Sequence, residues 1–308
     1  MTAPGARVEK LESGFHSISG AAVDARGTIF FVDHYEQRIY SWSRADGLVI
    51  VRDDPIDAVN LAVDKSGHLV VMSSAGPEGS VYSVLPDGPH DELSAIAAQP
   101  RASHAASAVL VPGTIWVDGQ FSNYLDLKTY QYTTLGQMFA REVTTTTEKE
   151  YQSPDGSLVL PARRVFRQGP DGSYPGMDES GWRWSHNLGA YNFVAAPAGR
   201  RIYVTSGAEN RTYSATIQGD GTLRDLKPFA ERGGESVAVD ARGNVYIANG
   251  QIFVYDPSGK MIDEIDVPDR PIGLLFGGPD RRTLFILTHR ALYGVKTREA
   301  GEALPWVQ

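Results

Sequence analysis

The sequence predicts an all-β fold, a six-bladed β-propeller, on three observations. One pattern recurs along the chain: a short apolar strand ends at Asp or Pro, a Gly-containing turn follows, and the next strand alternates β-branched and aromatic residues. The copies recur with a period of roughly 40 residues, which is typical of propeller blades. No stretch shows a convincing 3.6-residue amphipathic periodicity that would indicate a helix. The copies are AVDARGTIFFVD (22–33), AVDKSGHLVVMS (62–73), the weaker AVLVPGTIWVDG (108–119), AAPAGRRIYVTS (195–206), AVDARGNVYIAN (238–249) and FGGPDRRTLFIL (276–287).

The repeat also sets the limits of the predicted blades. A third strand follows the hairpin in segments such as RIYSW, SVYSV and QIFVYD. We predict one propeller domain over residues 1–308. Residues 6–12 are expected to pair with the last blade and close the ring, since an open sheet edge would otherwise remain. The predicted inner strands lie near 20–24, 60–64, 106–111, 191–196, 235–240 and 273–277.

The spacing widens between the third and fourth copies. Residues 120–181 are too long for the outer strands of one blade, so we expect those strands plus an insertion over one face. Within it, LVLPARRVF (158–166) is predicted as a strand, whereas TTTTEKE and QGPDGSYPGMDESG read as exposed connections because they carry Pro, Gly and charge. Long insertions in compact domains are often functional lids, and a mere decoration is an equal alternative.

Composition restricts the classes of function. The chain is 42% hydrophobic and 21% charged, which is typical of a soluble globular protein. Its net charge of −8, from 29 basic and 37 acidic residues, disfavours nucleic acid as a partner. The absence of cysteine excludes disulfides, thiolate zinc sites and a cysteine nucleophile. No apolar run is long enough to span a membrane, and the compartment stays open between cytoplasm and periplasm or secretion after signal removal.

Propeller geometry ranks the candidate site residues. The segment before each inner strand and the loop after each second strand share one face, so polar residues there are expected at the mouth of the central channel. For any single one, a solvated loop residue is the plain alternative. The candidates are Ser19, Asn60, His104, His186, Asn187, Tyr191 and Glu235 before inner strands, and His34, Glu36, Asp118, Glu209, Asn210, Asn249 and His289 after second strands.

Three segments resemble the gluconolactonase / senescence-marker-protein / luciferin-regenerating-enzyme family. GFHSISGAAVDARGTIFFVDHYEQRIYSW (14–42) is similar to its first blade. RGGESVAVDARGNVYIANGQIFVYDPSGKMI (232–262) and DRPIGLLFGGPDRRTLFIL (269–287) are similar to its two C-terminal blades. The resemblance covers about half of the chain, 14–84 and 190–296, and is poor over 100–185.

The resemblance implies a metal-dependent hydrolase with a divalent cation, often calcium, in the channel. It implies a Glu before the first inner strand, an Asn before the fourth and an Asp before the fifth as ligands, with the Asp also serving as base. This sequence departs from that set. Ser19 stands in place of the Glu, Tyr191 aligns with the Asn, and Glu235 replaces the Asp. We therefore expect that the family's calcium site does not form.

Histidines at mouth positions suggest what replaces that site. His104 and His186 together with Glu235 form a candidate set for zinc or manganese, since imidazole favours such ions over calcium. The same three residues are the candidate catalytic groups of a metal-free acid–base site. The candidate substrate-binding residues are Trp184, Arg183, Tyr191, Asn60, His34 and His289. Trp184 and Tyr191 could stack on a sugar and Arg183 could hold a carboxylate, whereas the plain alternative makes the tryptophans a plug between blades.

Two classes of function follow. The first is a gluconolactonase-like hydrolase acting on a small, carbohydrate-derived lactone or related substrate in the channel. The second is a non-hydrolytic propeller with a degenerate metal site, either a lyase or isomerase that uses His and Glu, or a small-molecule binding protein. The loss of Glu at Ser19 favours the second class, whereas Glu235 and the histidines favour the first.

Overall fold

The structure, a computed structural model, is a six-bladed β-propeller, as the repeat predicted. Its small sheets are mostly antiparallel, and the residues described form no helix. None of those residues forms a helix that could cross a membrane. The structure describes residues 1–73, 80–88, 93–100, 108–112, 124–126, 131–133, 145–146, 149–161, 165–166, 193–196, 199–206, 210–219 and 223–304.

Four blades have four strands each, ordered outward from the channel. Blade six also contains the first strand of the chain, β1 (Glu9–Ser13). Blade one is β2 (Ile18–Val23), β3 (Ile29–Asp33), β4 (Arg38–Ser43) and β5 (Gly47–Arg52); blade two is β6 (Ala58–Val63), β7 (Leu69–Ser73), β8 (Ser80–Val84) and β9 (Ser94–Ala95). Blade five is β22 (Ser236–Val239), β23 (Val245–Asn249), β24 (Gln251–Tyr255) and β25 (Met261–Ile265); blade six is β26 (Gly273–Gly277), β27 (Thr283–Leu287), β28 (Ala291–Lys296) and β1.

The middle of the chain contributes the remaining sheets. A five-stranded sheet has the order β10-β15-β16-β11-β18, and a three-stranded sheet has the order β19-β20-β21. The strands are β10 (Gln99–Pro100), β11 (Ala108–Pro112), β12 (Tyr124–Asp126), β13 (Gln131–Thr133), β14 (Thr145–Thr146), β15 (Lys149–Gln152), β16 (Leu158–Pro161), β17 (Val165–Phe166), β18 (Phe193–Ala196), β19 (Arg201–Ser206), β20 (Arg211–Ile217) and β21 (Leu223–Ala230).

The Asp and Gly of each repeat turn explain why the hairpins form. The Asp24 carboxylate accepts hydrogen bonds from the backbone N–H groups of Arg26 and Thr28, at 2.9 and 2.8 Å. Asp240 accepts the equivalent bond from the N–H of Asn244, at 2.9 Å. Gly27 adopts a φ of 86°, a left-handed conformation that favours glycine. The local turn chemistry thus stabilises the hairpin through contacts within a few residues.

The hydrophobic core lies between blades rather than at one centre. Separate clusters of buried residues join blades six and one, one and two, and five and six. At the six–one boundary the turns touch directly: the N–H of Gly278 donates to the carbonyl of Gly27 at 2.8 Å. A Cβ on Gly27 would lie 2.1 Å from the Gly278 carbonyl oxygen, so this approach needs glycine. Each blade is therefore held by its two neighbours.

Pairing of the N-terminal segment with blade six closes the ring, as predicted. β1 runs antiparallel to β28, with Glu9 opposite Gly294 and Ser13 opposite Ala291. The side chain of Leu11 packs into the cluster between blades six and one. The observed strand is Glu9–Ser13, shifted slightly from the predicted 6–12. The pairing gives blade six its fourth strand.

The third and fourth blades differ from the predicted arrangement. β11 and β18 lie close to the inner strands predicted at 106–111 and 191–196, but they pair antiparallel with each other in one sheet. β11 also pairs in parallel with β16. β16 falls within the strand predicted at 158–166. Residues 113–119, the rest of the predicted third hairpin, and most of the insertion at 120–181 lie outside the described residues.

A hairpin that the sequence reading had placed in the insertion occupies a blade position beside blade two. β15 and β16 are joined by a turn at 153–157, and its Asp155 accepts a hydrogen bond from the N–H of Ser66 in the blade-two turn, at 2.8 Å. Burial opposes ionisation of Asp155, but hydrogen bonds from Ser157, Ser153 and Ser66 hold its pKa well below its usual range. The turn of this hairpin carries Ser153 where the turns of blades one, two and five carry Asp24, Asp64 and Asp240.

Deleting residues 1–13 tests the closure. The deletion removes β1 and exposes β28 as an open edge, so we expect the melting temperature to fall by about 10 °C or more. Differential scanning calorimetry measures this. As a matched pair, Leu11→Ser should lower the melting temperature by several degrees more than Lys10→Ser, because Leu11 packs inward and Lys10 is exposed. A deletion variant as stable as the parent would refute the closure role.

Candidate active site

The loops before the inner strands and after the second strands lie together, as the propeller geometry predicted. The N–H of His34, which follows β3, donates to the carbonyl of Ser17 before β2, at 2.9 Å. In blade five the N–H of Glu235 donates to the carbonyl of Ala248 at 3.1 Å. The N–H of Ile18 bonds to the carbonyl of His289 at 3.1 Å, which joins blades one and six. These contacts define one face, the mouth face.

A carboxylate–guanidinium pair is the principal charged feature of the mouth face. Nη2 of Arg270 lies 2.5 Å from Oε1 of Glu235. Glu235 directly precedes the inner strand β22, and Arg270 lies shortly before the inner strand β26, so the pair bridges blades five and six. The Glu235 side chain is 14% exposed and that of Arg270 is 68% exposed. The pair therefore joins a recessed carboxylate to a cation that solvent and ligands can reach.

The backbone around Glu235 is held on several sides. The N–H of Gly234 donates to Oγ1 of Thr205 at 2.7 Å, and the Asn249 amide donates to the carbonyl of Gly233. A Cβ on Gly234 would lie 1.6 Å from the carbonyl oxygen of Ala248. Glycine at 234 therefore lets the chain pack against the backbone of Ala248, and this contact fixes the position of the Glu235 backbone.

Ser19 occupies the position in blade one that Glu235 occupies in blade five. Both residues stand five positions before the Asp of their repeat turn, Asp24 and Asp240. The Ser19 hydroxyl is buried and has no hydrogen-bond partner among the residues described. The position is therefore polar but carries no charge.

Asn60 stands four positions before its turn residue Asp64, one fewer than the five that separate Ser19 and Glu235 from theirs. Its side chain faces a neighbouring blade. It is 2% exposed, and its side-chain carbonyl accepts the N–H of Leu61 at 2.8 Å. Gly20 packs so tightly against it that a Cβ there would lie 2.3 Å from Oδ1 of Asn60. The equivalent Ser236 likewise contacts the next blade, accepting the N–H of Leu274 at 3.1 Å. The structure thus places Asn60 in the wall between blades one and two.

The two described histidines from the predicted set lie on the mouth face but differ in exposure. Nδ1 of His34 lies 3.0 Å from the carbonyl oxygen of Ala58, at the start of β6. This contact fixes the imidazole across the boundary of blades one and two. His289 is exposed and reaches blade one through its backbone carbonyl. His34 is therefore the better oriented of the two for ligand contact.

A second ionisable pair, which the sequence did not reveal, lies on blade one. Nδ1 of His16 is 3.0 Å from Oε1 of Glu36, and Arg38 lies 3.5 Å from the other carboxylate oxygen. The ring of Tyr35, which is 73% exposed, lies 5.3 Å from the His16 ring. Asp33 holds the loop by accepting the N–H of His16 at 2.8 Å. The imidazole thus has a carboxylate on one nitrogen and an exposed side.

The remaining predicted site residues lie outside the described part of the chain. Their proposed roles stay predictions. They are His186, His104, Trp184, Arg183 and Tyr191, together with the mouth candidates Asn187, Asp118 and Glu209.

Comparison with known proteins agrees with this arrangement of blades and mouth. Residues 183–290 match the family model described as the SMP-30/gluconolactonase/LRE-like region. This part of the chain is similar to that family. The match includes Glu235 and Arg270 and confirms the resemblance that the C-terminal repeats suggested. No curated protein matches the sequence.

Solved structures share the fold over nearly the whole chain. A candidate gluconolactonase from structural genomics is 19% identical, with a TM-score of 0.55 over 99% of this chain and 96% of its own. A gluconolactonase from Xanthomonas campestris is 17% identical, with a TM-score of 0.50 over 96% and 91%. Regucalcin, a calcium-binding protein from Agrobacterium tumefaciens, is 16% identical, with a TM-score of 0.54 over 98% of both. At these identities the likeness establishes the fold.

The described residues do not fit the calcium site that the SMP-30/gluconolactonase/LRE-like family implies. Ser19 offers a neutral hydroxyl where that family has a carboxylate. Glu235 pairs with the guanidinium of Arg270, and a second cation on the same carboxylate would meet charge repulsion. Nowhere in the described ranges do three His, Asp or Glu side chains form a group that could hold a metal ion. The set of Glu235, His104 and His186 for zinc or manganese stays a prediction.

Calcium titration tests whether the guanidinium of Arg270 prevents calcium from binding at Glu235. The parent protein should bind calcium no more tightly than about 1 mM, the weak end of protein calcium sites. The double variant Ser19→Glu/Arg270→Ala restores a second carboxylate and removes the competing guanidinium, so it should bind calcium at least about tenfold more tightly. Isothermal titration calorimetry measures both. Tight calcium binding by the parent that survives Glu235→Gln would show the assignment to be wrong.

Proposed function

We propose that this chain is a gluconolactonase-like hydrolase that opens a small, sugar-derived lactone at the channel mouth. The observation that carries the proposal is the pair of Glu235 and Arg270, a recessed carboxylate beside an accessible guanidinium. The family region that contains both residues supports the same reaction class. Glu235 also stands where that family places its ligand-and-base carboxylate.

The pair supplies the two groups that ester hydrolysis needs. Glu235 takes a proton from water as the water oxygen bonds to the lactone carbonyl carbon. Negative charge then develops on the carbonyl oxygen, and an N–H of Arg270 donates to it. When the ring C–O bond breaks, the proton held by Glu235 passes to the departing ring oxygen. The product is the open hydroxy acid, with water consumed and the enzyme unchanged.

Residues around the pair give the substrate its orientation. Arg270 has five N–H donors, and its side chain is largely exposed beyond the contact with Glu235. It can therefore bind Glu235 and a substrate oxygen together. His34 can add a hydrogen bond at the boundary of blades one and two, because Nδ1 is committed to Ala58 and the other nitrogen is available to a ligand. Trp184 and Tyr191 are proposed to stack on the sugar ring.

Glu235→Gln tests the catalytic role directly. The substitution keeps the shape of the side chain and removes the base, so turnover on a sugar-lactone panel should fall by roughly a hundredfold or more. A pH-stat assay measures the rate, and thermal unfolding measures the stability of the same sample. Glu264→Gln, on the exposed outer strand β25, is the matched control and should keep the parent rate. An unchanged rate in the Glu235 variant would end the catalytic claim.

One observation favours a second candidate, a lyase or isomerase. The exposed pair of His16 and Glu36 has the form of an imidazole oriented by a carboxylate, which can abstract a proton from a substrate carbon. Mass spectrometry of the products separates the candidates. Hydrolysis adds the mass of water, isomerisation adds nothing, and His16→Gln should abolish only the second reaction. Saturable binding of a sugar lactone without any product would instead identify a binding protein.

A further inference from the structure

The loop that carries Arg270 is stiff but depends on other elements for its position. It covers residues 266–272, between the outer strand of blade five and the inner strand β26 of blade six. Pro268 and Pro271 flank the dipeptide Asp269–Arg270. Their rings fix φ near about −65° and remove two backbone N–H groups. The loop therefore has little freedom to bend and fewer backbone donors with which to hold itself in place.

Two backbone contacts fix the ends of this loop. The N–H of Val267 donates to Oε1 of Gln251, on β24 of blade five, at 2.5 Å. The N–H of Ile272 donates to the carbonyl of Leu287, on β27 of blade six, at 2.7 Å. The middle of the loop, with Asp269 and Arg270, is exposed. Its position depends on side-chain contacts.

Tyr293 fixes the middle of the loop. Its hydroxyl donates to Oδ2 of Asp269 at 2.5 Å, the short distance of a hydrogen bond to a charged acceptor. Tyr293 is 1% exposed and belongs to the hydrophobic cluster between blades five and six. Burial, together with the hydrogen bond and charge of Asp269, raises the pKa of Tyr293 to about 12, so the hydroxyl keeps its proton. A rigid part of blade six thus holds an exposed part of the loop.

Arg270 directly follows the residue that Tyr293 holds. Its side chain is 68% exposed, and it meets Glu235 of the neighbouring blade at 2.5 Å. Holding a long exposed side chain in one geometry costs conformational entropy, and a mobile backbone beneath it adds to that cost. The hydrogen bond to Asp269 fixes the backbone one residue away. The guanidinium therefore starts from a defined point when it reaches Glu235.

We infer that Tyr293 is a positioning residue for Arg270. Through Asp269 it holds the loop so that the guanidinium of Arg270 stays against Glu235, with its other N–H groups directed to a ligand at the mouth. The kinetic consequence rests on the lactone hydrolysis proposed above. The consequence for the pair of Glu235 and Arg270 does not, and it can be measured without any substrate.

Tyr293→Phe keeps the buried ring and removes the hydroxyl. If Arg270 donates to the developing oxyanion, kcat for a sugar lactone should fall by about tenfold or more, with KM within about twofold of the parent. Asp269→Ala, at an exposed position, should lower kcat equally. The double variant should be no worse than either single variant, because both changes break one contact. Steady-state kinetics in the pH-stat measures all three.

Tyr246→Phe is the matched control. Tyr246 is also a buried tyrosine whose hydroxyl donates to an aspartate, Asp240, at 3.2 Å. Asp240 follows the inner strand β22, whereas Glu235 precedes it, so this contact lies at the opposite end of the strand from the mouth. The control loses a comparable hydrogen bond and should keep the parent kcat.

A double-mutant cycle of Glu235→Gln and Arg270→Ala gives a readout that needs no activity. In the parent, the two changes should be coupled by about 2 °C or more in melting temperature, because each leaves the other group without its partner. In the Tyr293→Phe background the coupling should fall to about half or less, whereas in the Tyr246→Phe background it should match the parent. Differential scanning calorimetry measures each cycle.

The two readouts separate this inference from the proposed function. If the parent hydrolyses no lactone, the proposed function fails and the coupling alone decides the role of Tyr293. If Arg270→Ala stops hydrolysis but Tyr293→Phe changes neither kcat nor the coupling, the hydrolase stands and the positioning role is wrong. Absence of coupling in the parent, or an equal loss of coupling in Tyr246→Phe, would also overturn the inference.

Discussion

Pairing of β1 with β28 is the constraint on which the rest of the ring depends. Separate hydrophobic clusters hold neighbouring blades together. The ring therefore stays closed only if its first and last blades also remain in contact. β1 gives blade six its outer strand, and Leu11 on that strand packs into the cluster shared with blade one. At the next boundary, the cluster between blades five and six and the Leu274–Ser236 hydrogen bond place β26 beside β22, and so the segments that carry Arg270 and Glu235 lie next to each other. Fold closure and the geometry of the mouth are thus parts of one arrangement.

In the proposed reaction, protein charge serves where the family resemblance implies a metal ion. Loss of a carboxylate at Ser19 lowers the negative charge available to a cation. Arg270 supplies a fixed positive charge beside the carboxylate that remains, at 2.5 Å. A guanidinium can polarise a carbonyl oxygen through directed hydrogen bonds, as a metal ion does by coordination. The neutral Ser19 and the guanidinium of Arg270 together give the proposed site the same net charge as two carboxylates with a divalent cation.

Local signals in the sequence predicted the blades, but they did not predict the contacts between blades. The Asp and Gly turns act within a few residues, so the hairpins of blades one, two, five and six were predicted from sequence, whereas the hairpin at 149–161, whose turn carries Ser153, was not. Arg270 gave no signal because its partner lies 35 residues away on another blade. Asn60, predicted at the channel mouth, is buried against Gly20 of blade one, a contact that the sequence did not reveal. Contacts between blades decide the site, and a repeat pattern does not encode them.

Chemical rescue of Arg270→Ala tests the central claim that this side chain supplies the positive charge of the mouth. Turnover of a sugar lactone should fall by roughly a hundredfold or more, the scale for losing one donor to a developing oxyanion. Guanidinium ion, added at concentrations too low to unfold the protein, should restore part of that rate, whereas calcium should not. Full activity of the unassisted variant, or restoration by calcium and not by guanidinium, would contradict the account.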